Sequence, residues 1–125
     1  MAASTGQTVL VTGAAGFAGS HLLDLLESDG QAIVAWRRPG EALPAPPTGR
    51  TCRWIDVDVL DRRAVNGAVA GAPPSVVYHL AGFAHVGRSW DQALLALQVN
   101  VLGTLHLLSA LAMHAPGARV LLAGS

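Results

Sequence analysis

The sequence predicts an α/β fold in which helices cover both faces of one parallel sheet, and three observations support this prediction. Short apolar runs alternate with amphipathic stretches along the 125 residues, as strands and crossover helices do. The first apolar run, residues 9–11, leads directly into a glycine-rich turn and then into an amphipathic stretch. Hydrophobic residues make up 51% of the chain and charged residues only 13%, which favours strands buried on both faces.

The elements follow in order from periodicity and from turn residues. Strands are predicted over residues 8–12, 31–36, 53–57, 75–80 and 119–123, and helices over residues 17–29, 62–70 and 90–114. Gly30 stands where a helix C-terminus favours glycine, and Asp61 can cap the second helix. Residues 39–50 are rich in proline and are predicted to form a loop within one domain, because strand-like residues resume directly afterwards.

Apolar stripes predict which side of each helix is buried. They comprise Leu22, Leu25 and Leu26 in the first helix, Val65 and Val69 in the second, and Leu94, Leu97, Val101, Leu105, Leu108 and Leu111 in the third. The alternation with right-handed crossovers predicts a doubly wound sheet of strand order 3-2-1-4-5 in a single domain over residues 1–125. A ligand is then expected at the C-terminal edge of the sheet, where strands 1 and 4 diverge.

Composition excludes several classes of function. The formal net charge is +0, so no basic patch indicates a nucleic-acid partner. No stretch reaches the roughly 20 unbroken apolar residues of a membrane helix, and the polar residues 1–7 do not indicate a secretory signal. Cys52 is the only cysteine, so no internal disulfide forms and a reduced, cytoplasmic location is predicted. The histidines lack metal-ligand spacing, so no metal site is predicted.

Residues 12–19 are the most informative stretch, because a strand, a glycine-rich turn and a helix follow one another there. Backbone N–H groups at a helix N-terminus carry partial positive charge and can hold a phosphate. Gly13 suits the tight turn, Gly16 lets the backbone approach a pyrophosphate, and Gly19 lets the helix pack closely on the strand. The alternative is a glycine-rich turn without a ligand. The flanking elements favour a dinucleotide site in a Rossmann fold.

The end of the second strand bears on the choice of dinucleotide. In this fold an acidic side chain there takes the ribose 2′-hydroxyl, whereas an arginine accommodates a 2′-phosphate. Two arginines, Arg37 and Arg38, stand at this position and no carboxylate does, so the sequence favours NADP over NAD. A solvated basic pair is the alternative, and Glu41 is close enough in the chain to take the acidic role.

Polar and small residues also follow the third and fourth strands. Asp58 can accept a hydrogen bond from an adenine amino group, and the backbone of Val59 can bond to the same ring. Asp61 is interpreted as a helix cap rather than as an acid–base partner of Asp58. The small residues Ala81 and Gly82, which follow Leu80, allow a cofactor ribose or phosphate to lie against the backbone. His79 is interpreted as a hydrogen-bonded core residue rather than as a catalytic one.

The third helix carries two residues that are unusual in an apolar helix. Asn100 is expected to be buried, to bond to neighbouring backbone and to support a cofactor through it. Gly103 is expected to let the helix pack closely, at some loss of helix propensity.

Five motifs in order resemble those of the extended short-chain dehydrogenase/reductases, which are NAD(P)-dependent nucleotide-sugar epimerases, dehydratases and reductases. They are Thr12-Gly13-x-x-Gly16-Phe17-x-Gly19, Asp58-Val59, His79-Leu80-Ala81-Gly82, Asn100-Val101-x-Gly103-Thr104 and Gly124-Ser125. The match covers essentially the whole chain. Arg37-Arg38, Ser89-Trp90 and residues 100–106 are most similar to the branch of GDP-mannose 4,6-dehydratase and GDP-4-keto-6-deoxymannose reductase. Reduction of GDP-4-keto-6-deoxymannose is therefore the narrower expectation.

The resemblance implies a role for each matched position. Gly13, Ala15, Gly16, Phe17, Ala18 and Gly19 would hold the pyrophosphate, Asp58 and Val59 would flank adenine, Leu80, Ala81 and Gly82 would line the cofactor, and Asn100 would support the site. Ser125 falls at the family's catalytic Ser/Thr, which hydrogen-bonds the reacting oxygen of the sugar. Ser89 either touches substrate or caps the third helix, and the cap is favoured. The implied partners are a nucleotide-sugar substrate and, in the full-length protein, a second subunit.

One feature of the family has no counterpart in this sequence. The family completes its site with a Tyr-x-x-x-Lys pair, but the sequence contains no lysine and its single tyrosine, Tyr78, lies in the fourth strand. The chain is therefore expected to be the N-terminal, cofactor-binding part of a longer enzyme, truncated after strand 5 and inactive alone. The alternatives are a non-catalytic dinucleotide-sensing module and a protein-interaction domain of the same fold. A bare fifth strand and an uncovered helix face are expected to favour association.

Overall fold

Five parallel strands form one sheet in the computed structural model, which describes residues 7–41, 52–82 and 90–123. The strands are β1 (Thr8–Thr12), β2 (Ala32–Arg37), β3 (Cys52–Asp56), β4 (Val76–His79) and β5 (Arg119–Leu122). The helices are α1 (Phe17–Ser28), α2 (Arg62–Gly71), α3 (Trp90–Gln98) and α4 (Thr104–His114), and a π-helical turn (Val99–Gly103) joins α3 to α4. The strand order β3-β2-β1-β4-β5 confirms the predicted doubly wound topology.

Strand β1 lies at the centre of the sheet. Its apolar residues are buried because β2 and β4 flank it in the sheet and helices cover both of its faces. Val11 pairs with Ala35 of β2 and with Tyr78 of β4. The order of the strands reverses at β1, so the crevice at its C-terminal end is the place where a doubly wound sheet binds its ligand.

Two apolar cores lie on the two faces of the sheet. The core under α1 contains Val9, Val11, Leu23, Leu26 and Ile33, and the core under α2 and α4 contains Leu10, Val34, Trp36, Val65 and Leu107. Burial of Val65 and Val69 confirms the predicted face of α2. The predicted face of α1 was partly wrong, because Leu25 is exposed. Gly19, Leu23 and Leu26 recur every three or four residues and form the buried side instead.

Two predicted helix boundaries are confirmed. Asp61 caps α2, because its Oδ1 accepts a hydrogen bond from the backbone N–H of Ala64 at 3.1 Å. Gly30 follows α1 with a φ of 75°, a left-handed conformation that favours glycine after a helix.

The predicted buried stripe of the long helix was mostly wrong. Five of its members are exposed, namely Leu94, Leu97, Val101, Leu105 and Leu108. The buried side consists of Ala96, Gly103, Leu107, Ala110 and Leu111. The helix carries apolar residues on both sides, so periodicity alone does not identify the side that packs. The π-helical turn adds a residue and rotates the positions after it by about 100° relative to those before it.

By length and composition alone, the helix Trp90–His114 could cross a membrane. Its most apolar window has a mean hydropathy of 1.7, and 28% of that window is buried inside the molecule. Core helices of globular proteins have the same composition, and Asp91, Gln98 and Asn100 interrupt the apolar stretch. The absence of a membrane partner therefore stays a prediction.

Candidate functional site

A cleft of about 170 Å³ opens at the C-terminal ends of the central strands. Most of the predicted cofactor residues line it: Gly13, Gly16, Arg37, Arg38, Asp58, Val59, Leu80, Ala81 and Gly82. Thr12, Trp36, Glu41, Val57 and Val99 also line the cleft and were not predicted as site residues. Thr12, Trp36, Val57 and Val99 each lie at a strand end or beside a predicted position, and Glu41 is the residue that the sequence offered as an alternative partner of the ribose.

Other predicted site residues lie outside this lining. Gly19 is buried behind the turn, and Ala15 and Ala18 do not reach the cleft. Phe17 is 81% exposed, and its ring lies edge-on to His21 with the ring centroids 4.5 Å apart. Their contact with a cofactor stays a prediction. Ser125 and Ser89 lie outside the described residues.

The prediction that Asn100 is buried was wrong. Its side chain is exposed on the π-helical turn, and a Cβ added at Gly82 would lie 2.8 Å from Asn100 Oδ1. The backbone carbonyl of Asn100 accepts a hydrogen bond from Thr104 Oγ1 at 2.7 Å. Asn100 therefore stands beside the strand-end turn at the rim of the cleft rather than in the core.

The glycine-rich turn leaves a helix N-terminus open toward the cleft. Gly13 has a φ of 64°, and its carbonyl accepts a hydrogen bond from the N–H of Gly16 at 3.1 Å. Gly16 is the N-cap residue of α1 and supplies no side-chain cap, and the first turn of α1 contains no acidic residue. The first N–H groups of a helix have no partner within the helix, so this end can hold an anion such as a phosphate.

An apolar wall and one carboxylate stand at the far end of the cleft. Val57 and Val59 are buried there, and Asp58 Oδ1 accepts a hydrogen bond from the N–H of Leu60 at 2.9 Å. His106 holds this loop in place, because its Nδ1 bonds to the carbonyl of Val59 at 2.8 Å. Sequence reasoning assigned no role to His106. No signal in the sequence indicated this contact, which joins residues far apart in the chain.

The two arginines after β2 differ in their contacts. Arg37 Nε lies 2.6 Å from Asp56 Oδ1, and Arg37 Nη1 donates to the backbone carbonyl of Glu41 at 2.9 Å. Arg38 is exposed, and its backbone is held by Glu41: its N–H donates to Glu41 Oε1 at 3.2 Å, and its carbonyl accepts from the Glu41 N–H at 3.0 Å. Within the described part of the chain, no carboxylate pairs with the guanidinium of Arg38. Arg37 is therefore fixed in place, whereas the Arg38 side chain is able to meet an anion.

His79 is a buried, hydrogen-bonded core residue, which confirms the interpretation from the sequence. Its Nδ1 lies 2.7 Å from Thr12 Oγ1, and its Nε2 lies 3.0 Å from Thr104 Oγ1. Burial lowers the pKa of His79 below its ordinary value, so the ring is neutral at neutral pH. A histidine held on both nitrogens inside the core is not placed to exchange a proton with a substrate.

Among the described residues, no group of three histidine, cysteine or acidic side chains is arranged to hold a metal ion. Burial, and to a lesser extent the charge of Glu27, raises the pKa of the Cys52 thiol to about 11. A thiol of this pKa stays protonated at neutral pH and is a poor nucleophile. The described residues that line the cleft offer backbone N–H groups, arginines, the carboxylates of Glu41 and Asp58, and apolar walls.

A nicotinamide dinucleotide fits these features. The N-terminus of α1, which has no side-chain cap, suits the pyrophosphate. Gly13 and Gly16 carry no side chain that would keep the pyrophosphate away from the backbone N–H groups. Val57 and Val59 offer a flat apolar surface to the adenine, and the small residues Ala81 and Gly82 line the opposite side.

Comparisons with known proteins agree with this interpretation. The model of the NAD-dependent epimerase/dehydratase family matches residues 9–125. UDP-glucose 4-epimerase from Mycolicibacterium smegmatis is 36% identical over 105 residues, which are 81% of this chain and 33% of that protein. The structure of UDP-glucose 4-epimerase from Bifidobacterium longum with NAD+ and UDP superposes with a TM-score of 0.83 at 28% identity, over 95% of this chain and 37% of that one.

A third similar protein is MoeE5, which was solved in complex with UDP-glucose and NAD. It is 39% identical with a TM-score of 0.76, over 94% of this chain and 36% of that one. The chain thus spans about a third of the length of the relatives it matches. Because the family model matches residues 9–125 and the described residues have the matching sheet topology, the chain belongs to the NAD-dependent epimerase/dehydratase family of extended short-chain dehydrogenase/reductases.

Proposed function

We propose that this chain is the dinucleotide-binding part of an enzyme that modifies a nucleotide-activated sugar. The observation that carries the proposal is the uncapped N-terminus of α1, which opens behind Gly13 and Gly16 into the cleft at the switch point of the sheet. A nicotinamide dinucleotide bound there would supply a hydride acceptor or donor for a sugar carbon. The described residues contribute binding and orientation rather than proton transfer.

Each part of the cleft has a proposed task. The backbone of residues 13–19 holds the pyrophosphate, and Asp58 and Val59 flank the adenine. Residues 80–82 line the ribose and nicotinamide side, and Asn100 supports that side from the π-helical turn. Ser125 is proposed to hydrogen-bond the reacting oxygen of the sugar.

The substrate is proposed to be a nucleoside diphosphate sugar. UDP-glucose 4-epimerases are among the relatives, and MoeE5 was solved with UDP-glucose, so epimerisation of a UDP-hexose is the first candidate. The motifs around Arg37 and Asn100 favour reduction of GDP-4-keto-6-deoxymannose as the second. The full-length protein should convert one of these substrates and not the other, in an assay that follows both sugars by chromatography.

The catalytic pair is proposed to lie in the remainder of the parent protein. This chain lacks a lysine and places Tyr78 inside β4, so we expect it to be inactive alone. A Tyr-x-x-x-Lys motif downstream in the parent reading frame is the expected finding. Its absence would contradict an enzyme and would leave the non-catalytic dinucleotide-sensing module, which needs only the cleft. A cytoplasmic location stays part of the proposal.

The cofactor is proposed to be NADP(H), although several relatives were solved with NAD. Two carboxylates near the expected adenosine ribose are engaged, Asp56 by Arg37 and Asp58 by the N–H of Leu60. The guanidinium of Arg38 is the group at this end of the cleft that is able to meet a 2′-phosphate. Glu41 is the competitor, because its carboxylate could turn from the Arg38 N–H to ribose hydroxyls and so favour NAD.

Two matched variants separate these possibilities. We expect Arg38→Gln to weaken NADPH binding about tenfold and to leave NADH binding nearly unchanged, because a charge-assisted contact to the 2′-phosphate is lost. Glu41→Gln should leave NADPH preferred. Dissociation constants from saturation-transfer NMR on the 125-residue chain would measure even weak binding. A wild-type preference for NADH that Glu41→Gln abolishes would overturn the NADP proposal and assign the ribose to Glu41.

A further inference from the structure

We propose that His79 is a positioning residue that holds the π-helical turn, Val99–Gly103, in fixed register with the strand-end turn, residues 80–82. His79 is 4% exposed and is the last residue of β4. Its two ring nitrogens contact hydroxyls from two other elements, Thr12 at the end of β1 and Thr104 at the start of α4. The hydrogen-bond geometry does not depend on a ligand, but its consequence for binding rests on the proposed dinucleotide site.

The hydroxyl of Thr104 determines where the ring carries its proton. Thr104 Oγ1 donates its only proton to the backbone carbonyl of Asn100 at 2.7 Å. The 3.0 Å contact with His79 Nε2 therefore requires that Nε2 donates. The neutral ring then has its lone pair on Nδ1, which accepts a hydrogen bond from Thr12 Oγ1 at 2.7 Å.

Thr12 completes this row of hydrogen bonds. Its hydroxyl proton is donated to His79 Nδ1, and its oxygen accepts hydrogen bonds from the backbone N–H groups of Leu80 at 3.1 Å and Ala81 at 3.0 Å. A hydroxyl has one donor and two acceptor sites, so Thr12 is fully used. A charged ring would direct a second N–H at Thr12, where no lone pair is left. The neutral Nε2–H form of His79 is thus the form that satisfies every partner.

The two turns that His79 connects stand at the cleft. Leu80, Ala81 and Gly82 line it from one side, and Val99 lines it from the π-helical turn. The strand-end turn also supports Gly13, since a Cβ there would lie 2.6 Å from the backbone N of Ala81. Loss of the His79 link would let the helix turn and the strand end move separately, and the dinucleotide would lose a fixed surface.

The test uses the 125-residue chain and an isosteric pair of variants. Thr104→Val removes the acceptor for His79 Nε2–H with little change of shape, whereas Thr104→Ser keeps it. Thr8→Val is the matched control, because Thr8 lies at the other end of β1, away from the cleft. Nitrogen-15 NMR reports the protonated ring nitrogen of His79, and hydrogen exchange reports the Leu80 and Ala81 amides.

We expect the wild-type ring to be neutral with its proton on Nε2 at pH 7. Thr104→Val should leave the proton on Nε2 without an acceptor, because Thr12 has no lone pair left for an N–H at Nδ1, and should speed exchange of the two amides roughly fivefold, as expected for loss of one hydrogen bond. Thr104→Ser and Thr8→Val should match the wild type within about twofold. A wild-type ring that is charged or protonated on Nδ1 would overturn the proposal, and that measurement does not depend on any variant folding.

Binding of NADPH separates this inference from the proposed function. We expect Thr104→Val to weaken NADPH binding roughly fivefold and Thr104→Ser to restore it. If the wild type binds no dinucleotide while the ring and exchange results hold, the proposed function fails and the link between the two turns stands. If Thr104→Val speeds exchange of the Leu80 and Ala81 amides but binds NADPH as the wild type does, His79 does not position the cofactor surface and this proposal fails.

Discussion

At the scale of single residues, the three glycines of the turn have different tasks. Gly13 has a left-handed φ of 64°, and a Cβ there would meet the backbone of Ala81 at 2.6 Å. A Cβ at Gly19 would meet the Cα of Ala14 at 2.7 Å, so Gly19 allows α1 to lie close to the turn. At Gly16 a Cβ would meet only the Gly13 carbonyl, at 3.3 Å. Gly13 and Gly19 are thus needed for the fold, whereas Gly16 lines the cleft and a Cβ there would meet the backbone only weakly.

This difference predicts the stability of two alanine variants. Gly13→Ala should lower the free energy of unfolding by at least about 2 kcal/mol, because it adds left-handed strain to a clash with backbone that cannot move aside. Gly67→Ala is the control, since Gly67 lies in α2 and nothing stands within 4 Å of its Cβ position. It should raise stability by about 0.5–1 kcal/mol through helix propensity. Urea unfolding followed by circular dichroism measures both, and equal effects of the two changes would contradict this account.

The residues that line the cleft could largely be predicted from the sequence, whereas their pairings could not. Gly13, Arg38 and Asp58 each follow a strand, and parallel strands bring their C-terminal ends to one edge. The contacts of Arg37 with Asp56 and of His106 with Val59 depend on strand register and side-chain conformation. A sequence pattern contains neither, so these pairs appear only in the structure.

At the scale of elements, periodicity predicted the extent of the long helix, whereas the side that faces the core depends on packing. Its position and extent were predicted, but the side that packs was not. The apolar residues are numerous enough to form a stripe on either side, and the π-helical turn changes the register between α3 and α4. Gly103 belongs to the packed side, because a Cβ there would lie 2.7 Å from Val59 Cγ2. The contact side of this helix therefore combines the small residues Ala96, Gly103 and Ala110 with Leu107 and Leu111.

Two leucines of α4 test this assignment directly. Leu107 is fully buried at 0% exposure, whereas Leu105, which the sequence placed in the buried stripe, is 55% exposed. Leu107→Ala should lower the free energy of unfolding by about 2–5 kcal/mol, because it leaves a cavity in the core. Leu105→Ala should change it by less than about 1 kcal/mol. Thermal and urea unfolding of the two variants measure the difference. A larger loss of unfolding free energy for Leu105→Ala than for Leu107→Ala would support the buried face predicted from the sequence.

At the scale of the whole molecule, the most prominent feature is an exposed apolar surface along one side. The exposed leucine stripe, defined as Leu94, Leu97, Val101, Leu105 and Leu108, follows the outer side of the long helix with exposures of 38–59%. Strand β5 ends the sheet, and Val120, Leu121 and Leu122 are exposed on it. An exposed apolar surface of this kind is more stable when another molecule or chain segment covers it than when water does. This exposure agrees with the uncovered helix face expected from the sequence, and we expect it to cause the isolated chain to associate.

The association of the chain tests this interface. We expect the 125-residue chain to associate at micromolar concentrations, and the double variant Leu97→Glu and Leu105→Glu to weaken that association at least tenfold, because charged side chains would be buried without partners. Leu25→Glu is the control, since Leu25 is similarly exposed but belongs to α1. Analytical ultracentrifugation measures the oligomeric state, and circular dichroism shows that the fold is kept. A wild-type chain that stays monomeric, or a double variant that associates as strongly as the wild type, would contradict association through this surface.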